Sequence, residues 1–236
     1  MNSFCKIIAF AFVSSLLVGC SHTYQAPRVE TTDFLHDYYL IKEAGEDDAL
    51  LSYWKKGVNW VSYKKIMLAP ISIKKTPDSS LNKMTHADRY RLVEFLEYQL
   101  QEALKNRFRL VNKPDKDTLL AQYAITDSEA MALLSDTFSA IYPQPHVVSA
   151  LKPVVSGTDA FLEKAKIEGK IMDSTTGELL MASADARAGG KNLDGNFDNW
   201  KDTQHGYKYW AAHLSHQLCL HQGRRDCQKP DYNQKK

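Results

Sequence analysis

Two stretches of the chain carry apolar residues at the three- to four-residue spacing of an amphipathic helix. The first spans residues 86–106 and follows Thr85-His86-Ala87-Asp88, which has the form of a capping box. Its apolar face is formed by Leu92, Phe95, Leu96, Leu100, Ala103 and Leu104. The second ends near Gly223, and its apolar stripe consists of Trp200, Tyr207, Trp210, Ala211, Leu214 and Leu218. The pattern therefore predicts two helices, each with one buried face.

Shorter runs elsewhere have the alternation or the apolar clustering of strands. We predict strands at 65–73, 107–112, 118–127, 159–173 and 179–187. The last two flank Asp173-Ser174-Thr175-Thr176-Gly177-Glu178, which is typical of a hairpin turn. One face of the strand at 159–173 is apolar. The other face, expected to meet water, carries Lys164, Lys166, Glu168 and Lys170.

This order of elements predicts an α/β fold of the α+β type. We expect an antiparallel-rich sheet of about five strands, with the two main helices packed on one of its faces. The chain of 236 residues is 44% hydrophobic, which suits one globular domain at residues 55–223 followed by a polar, basic tail at 224–236. Its net charge of only +2 argues against a nucleic-acid partner.

The start of the chain has the features of a bacterial lipoprotein signal. A twelve-residue run, Ile7 to Val18, is long enough for a secretory signal and too short to span a bilayer. It leads into Val18-Gly19-Cys20, a small-small-Cys motif that predicts a signal peptide at 1–19 and lipidation of Cys20. An ordinary signal peptide with an incidental cysteine is the alternative. Residues 20–54 are then interpreted as the lipidated cysteine, a flexible tether to about residue 33, and a segment that wraps the domain.

Two cysteines remain after processing, Cys219 and Cys227. An even pair in an exported chain predicts a disulfide, because an oxidising compartment favours it. Free thiols remain an alternative. A zinc site is the third, with His216 and His221 nearby, although the usual C-x₂-C spacing is absent.

The chain resembles a family of bacterial lipoproteins described as domain of unknown function 3313. The resemblance is carried by short matches from Phe34-Leu35 to Leu214. Its best segment contains Gly157-Thr158, Glu168, Asp173, Thr176-Gly177-Glu178-Leu179, Asp185, Arg187 and Ala188-Gly189. The family has no assigned activity, so the resemblance implies no catalytic residues. The order of elements also resembles the amino-terminal domain of TolB and the curli-secretion lipoproteins, which implies only a fold type.

The sequence contains none of the nucleophile-elbow, zincin or phosphate-loop motifs. We therefore predict neither a cofactor nor a metal site. At 100° per residue, His205, His213 and His216 fall away from the apolar stripe of the last helix and are expected on a solvated face. Asp185 and Arg187 alternate on one strand, and we interpret them as a structural ion pair. An envelope hydrolase that uses Asp127, Glu168 and Asp185 is the alternative function.

A non-enzymatic binding or scaffolding role is the leading functional prediction. The expected partners are the lipid bilayer, through acylated Cys20, and an envelope protein or a second copy of the chain. Ser21 after the cysteine, in place of Asp, favours the outer membrane, with the protein on its periplasmic side. The segment 128–157 is rich in apolar residues, and either folds back on the sheet or faces a partner. Its candidate partner-binding residues are Phe138, Ile141, Val147, Val148 and Leu151.

Overall fold

A computed structural model describes residues 23–26, 29, 31–45, 48–75, 79–82, 84–127, 164–189 and 199–230. Its strands are β1 (Thr23–Gln25), β2 (Lys42–Glu43), β3 (Leu51–Trp54), β4 (Lys65–Leu68), β5 (Ser72–Lys75), β6 (Arg109–Leu110), β7 (Thr118–Asp127), β8 (Lys164–Asp173) and β9 (Leu179–Gly189). Its two long helices are α1 (His86–Leu104) and α2 (Asn199–His221). The predicted mixed α/β architecture, with one sheet and two helices, is confirmed.

Three long antiparallel strands, β7, β8 and β9, form the centre of the sheet. The turn between β8 and β9 forms where the sequence predicts it. Asp173 Oδ1 accepts hydrogen bonds from the backbone N–H groups of Thr175 (2.9 Å) and Thr176 (2.8 Å), and Gly177 supplies the positive φ of 72°. These local contacts set the register of the hairpin.

The run predicted as one strand at 65–73 is divided at Pro70 into β4 and β5. Proline has no N–H to donate to a ladder, so a strand tends to stop there. Both pieces pair with β7 in parallel, with Lys65 opposite Thr118 and Lys75 opposite Asp127. Among the described residues the sheet has nine strands and both kinds of pairing, where about five mainly antiparallel strands were expected.

The two helices cover one face of the sheet, which we call the inner face. Thr85 caps α1 by accepting a hydrogen bond from the Asp88 N–H at 3.1 Å. The helix buries Leu92, Leu96, Leu100 and Leu104. The sheet contributes side chains from alternate positions of its strands to the same core: Ile66, Leu119, Ala121, Tyr123, Ile125, Ile167, Ile171 and Met181. None of the helices in the described ranges has the length and apolar character needed to cross a bilayer.

The opposite, outer face of the sheet is also covered. Its cover is the N-terminal segment, by which we mean the described residues between 23 and 54. Leu35 and Ile41 pack there against Ala182, with Phe34, Tyr38, Leu51 and Tyr53 around them. Ala184 and Ala186 are buried next to Ala182 on the same face of β9, and their small side chains let a chain segment approach closely. The prediction that Lys166 and Glu168 face water is therefore wrong, because both are buried and the Thr32 backbone N–H of this second layer donates to Glu168.

The tether predicted at residues 21–33 is also different in the structure. Thr23, Tyr24 and Gln25 form β1, which pairs with Gly189, Ala188 and Arg187 of β9. The polar sequence there carries no strand pattern. Its place in the sheet comes from backbone hydrogen bonds to the edge of β9, such as the one from the Ala26 N–H to the Ala186 carbonyl (2.8 Å).

Candidate functional site

A buried polar cluster lies between α2, β9 and the N-terminal segment. It contains two carboxylates, Asp48 and Asp185, together with His213, Trp210 and Arg187. From Met181 onward the odd-numbered residues of β9 point to the inner face, which aims Asp185 and Arg187 at α2. On α2, Trp210 and His213 are three residues apart and so face the same region.

Asp185 is only 2% exposed and accepts three hydrogen bonds. The Trp210 indole N–H donates at 2.6 Å, the Gln25 side-chain amide at 3.0 Å and the Leu50 backbone N–H at 3.2 Å. Burial raises the pKa of Asp185, while these donors and the charge of Arg187 act in the opposite direction. The carboxylate thus joins the sheet, α2 and two parts of the N-terminal segment.

Asp48 is the second acceptor of the cluster. It contacts His213 Nε2 at 3.1 Å, its own neighbour Ala49 N–H at 2.7 Å and the Ser52 hydroxyl at 2.9 Å. Burial acts to raise the pKa of Asp48, but these hydrogen bonds outweigh it and hold the pKa below its usual range. His213 Nδ1 lies 3.5 Å from the Tyr209 hydroxyl. The Arg187 guanidinium packs over the Tyr209 ring, 3.7 Å from the ring centre.

This cluster surrounds a small cavity of about 30 Å³. Such a volume holds roughly one or two water molecules and excludes a substrate. The wall includes Asp48, Ser183, Asp185, Trp210, His213 and Gln217. The Asp48–His213 pair has the form of an acid–base pair, but the Ser52 hydroxyl binds Asp48 and the Tyr209 hydroxyl is 3.5 Å from His213 Nδ1. The arrangement can fasten the N-terminal segment to the helix layer.

A second buried carboxylate, Glu168, lies on the outer face. It is fully buried and accepts a hydrogen bond from the Thr32 backbone N–H. Burial raises the pKa of Glu168 to about 7, and burial together with the Glu168 charge raises the pKa of Tyr38 to about 12. Lys170 Nζ donates to the Phe34 carbonyl at 3.2 Å and lies 4.7 Å from the centre of the Phe34 ring. These contacts fasten residues 32–38 to the sheet.

Two of the three carboxylates named for a hydrolase, Glu168 and Asp185, do not converge. Ile167 pairs with Asp185 on the inner face, so its neighbour Glu168 points to the other side of the sheet. The side chain of Asp127 lies outside the described residues. In the part of the chain that the structure describes, no group of three His, Cys, Asp or Glu side chains could hold a metal ion.

The other predicted site residues have different outcomes. Cys219 and Cys227 are joined by a disulfide, with their Cα atoms 5.6 Å apart. The prediction that His213 lies on a solvated face is wrong. Asp48 contacts that side of α2, and the histidine is only 8% exposed. Two groups lie outside the described residues: Cys20, and the partner-binding candidates Phe138, Ile141, Val147, Val148 and Leu151.

The aromatic residues before β4 mostly take part in packing. Trp54 stacks on His221 with ring centres 4.1 Å apart and meets Trp60 edge to face at 5.4 Å. The Tyr63 hydroxyl donates to Asp173 at 2.9 Å. Tyr39, at 67% exposure, is the exposed member of this group. No sequence pattern points to Gln25 or Asp48, because both lie in polar segments without periodicity.

Solved structures share the general arrangement only at low similarity. The PelC dodecamer from Paraburkholderia phytofirmans is 10% identical, with a TM-score of 0.32, and covers 74% of this chain and 98% of its own. A hypothetical protein from Chlamydia trachomatis is 8% identical, with a TM-score of 0.38, covering 67% and 99%. A DUF4136 family protein from Bacteroides thetaiotaomicron is 12% identical, with a TM-score of 0.32, covering 72% and 95%.

No curated protein matches the chain. A family model does match, over residues 30–214. This range contains the sheet from β2 to β9, α1 and the part of α2 that carries Trp210 and His213. Because the match covers well over half of the chain, the protein belongs to DUF3313, a family of proteins of unknown function.

Proposed function

We propose that the protein is a lipid-anchored lipoprotein of the Gram-negative outer membrane that faces the periplasm and binds or scaffolds other envelope components without catalysing a reaction. The observation that carries the non-enzymatic part is the use of the buried polar groups. Asp185 and Glu168 accept hydrogen bonds from Gln25, Leu50 and Thr32 of the N-terminal segment, and Asp48 of that segment binds His213 of α2. Their positions serve to hold that segment on the domain.

The cavity beside these groups supports the same proposal. A volume of about 30 Å³ leaves no room for a sugar, a peptide or a phosphoester. A hydrolase that works through paired carboxylates needs both within reach of the same bond, whereas Glu168 and Asp185 lie on opposite faces of one sheet. The alternative of an envelope hydrolase is therefore less well supported than a binding role.

The anchor and the compartment are proposed from the sequence. The apolar run that ends in Val18-Gly19-Cys20 favours acylation of Cys20, and the acyl chains make the bilayer the first partner. The disulfide between Cys219 and Cys227 fits an oxidising compartment such as the periplasm. The remaining partner is an envelope protein or a second copy of the chain, contacted through Phe138, Ile141, Val147, Val148 and Leu151.

The anchor is tested by metabolic labelling with a fatty-acid analogue in cells that express the full chain. Wild-type protein should carry the label and Cys20→Ser should not. Cys5→Ser is the matched control, because this cysteine lies in the segment that is removed, and its labelling should equal that of the wild type. Equal labelling of wild type and Cys20→Ser would disprove the anchor.

The binding role is tested by crosslinking in the same cells. A photo-crosslinking residue at position 147 or 148 should join the protein to a defined partner or to a second copy. The same residue at position 94, on α1, should not give that product. Identical products from both positions would count against a specific surface in this segment.

A further inference from the structure

The position of β1 decides how far the domain can be from its anchor. β1 begins at Thr23, three residues after Cys20, and pairs with the end of β9. Gln25 strengthens this pairing, because its side-chain amide donates both to Asp185 (3.0 Å) and to the Asp48 carbonyl (3.0 Å). The chain is therefore already held to the folded domain at residues 23–26.

Three residues of fully extended chain span at most about 11 Å. If Cys20 carries lipid, as the proposed function on which this inference rests requires, Thr23 lies within that distance of the acylated cysteine. A free tether to residue 33 would instead allow the domain a reach of roughly 20 Å and any orientation. The paired β1 removes most of that freedom.

The pairing of β1 places one end of the sheet near Cys20. Thr23 is opposite Gly189, the last residue of β9. β8 begins at the same end with Lys164, which pairs with Ala188, and Lys75 of β5 also ends there, opposite Asp127. We call this the anchor end. The turn at Ser174–Gly177 and the loop before Thr118 form the other end. The ten residues of β7 separate the two ends by about 30 Å.

We infer that the domain stands on the membrane with the anchor end of its sheet against the lipid headgroups and the β8–β9 turn directed away from them. The exposed Lys75 then lies beside the bilayer surface, whose anionic lipids attract a basic side chain. The C-terminal end of α2 and the Cys219–Cys227 disulfide lie towards the far end, because His221 packs on Trp54 at the end of β3. The lipid surface is thus the partner of one defined end of the fold.

Two variants of the full chain, each with one introduced cysteine, test this orientation. Lys75→Cys labels the anchor end and Lys116→Cys labels the far end, and both lysines are exposed. Without reductant the Cys219–Cys227 disulfide stays closed and acylated Cys20 does not react, so a maleimide fluorophore reaches only the introduced thiol. The labelled lipoprotein is reconstituted into vesicles of phosphatidylethanolamine and phosphatidylglycerol that contain rhodamine-labelled lipid as energy acceptor.

Energy transfer should be about twofold stronger from position 75 than from position 116, because the two ends differ by about 30 Å in distance from the bilayer. A second pair of variants inserts twelve Gly and Ser residues between Ser21 and His22 in each of the two labelled chains. This linker keeps the anchor but frees the domain, so the difference should shrink. Equal transfer from both positions in the chain without the linker, with fatty-acid labelling intact, would overturn the orientation alone. Loss of fatty-acid labelling would overturn the anchor and the orientation together.

Discussion

The two faces of the central sheet bury carboxylates in different ways. On the inner face, Asp185 accepts three hydrogen bonds from a tryptophan, a glutamine and a backbone amide, and Arg187 lies two residues away on the same face. On the outer face, Glu168 is buried beneath residues 32–38, and burial raises its pKa to about 7. The inner carboxylate is a fixed structural link, whereas the outer one is sensitive to pH near neutrality.

The segments that cover the two faces also differ in how much apolar surface they bring to the sheet. α1 and α2 bring long rows of leucines and aromatic rings to the inner face. The outer face receives a segment with a small apolar cluster and is lined by alanines. The outer layer therefore has less apolar surface to hold it, and local opening should begin there. Four substitutions test this comparison.

The largest effect is expected on the inner face, from Asp185→Ala. The substitution leaves the Trp210 indole N–H, the Gln25 amide and the Leu50 N–H without their acceptor in a buried site. We expect the free energy of unfolding to fall by about 3–5 kcal/mol. Urea unfolding of the purified mature chain measures it. Trp210→Phe, which removes one of the three donors, is the control and should cost less. A loss below that of Trp210→Phe would show that Asp185 is not the central link.

The second effect concerns packing on the inner face at Gly169. The Tyr123 ring lies across this glycine, so a Cβ built there would be 2.3 Å from Tyr123 Cε1. Gly169→Ala should destabilise the protein by about 2–3 kcal/mol, because a well-packed core tolerates added volume poorly. In a Tyr123→Ala background the same substitution should cost much less. A double-mutant cycle in urea measures the coupling, and additive effects would contradict this contact.

The third effect is a pH dependence on the outer face. The usual pKa of 4.5 is raised to about 7 in folded Glu168 by burial, so the folded state binds the proton more tightly than the unfolded state. The free energy of unfolding should therefore fall as pH rises between these two values. Glu168→Gln should remove this slope and stabilise the protein by about 1–2 kcal/mol at pH 8, with little effect at pH 4.5. Glu43→Gln, on an exposed strand, serves as control, and an unchanged slope in Glu168→Gln would exclude this residue as the source.

The smallest effect is expected for Lys170→Ala, also on the outer face. It removes the hydrogen bond to the Phe34 carbonyl and the cation above the Phe34 ring. We expect a loss of about 0.5–1 kcal/mol and faster amide exchange in residues 34–41, with the β7–β9 core unchanged. Lys75→Ala, an exposed lysine, is the matched control. Faster exchange in β8 and β9 instead would show that the outer layer and the core open together.

Local patterns in the sequence were enough to predict the main helix, the hairpin and the final helix. The leucines of α1 repeat at helical spacing, Thr85 supplies a cap, and Asp173 and Gly177 specify the turn through contacts within a few residues. The cysteine pair was also open to prediction, because it lies near one helix end. Each of these features depends on neighbours in the chain.

The tertiary structure alone decided which helices and strands are also covered on the face opposite their apolar one. The spacing of α2 marks one apolar stripe correctly, yet it contains no information that Asp48 reaches His213 from 165 residues away. Lys166 and Glu168 alternate as solvent-facing residues do, yet both are buried, and Thr32 lies on Glu168 from 136 residues away. β1 has no apolar pattern at all, since backbone pairing with β9 needs none. A periodic pattern reports the first face that a segment buries, and long-range backbone and polar contacts decide whether another segment covers the second.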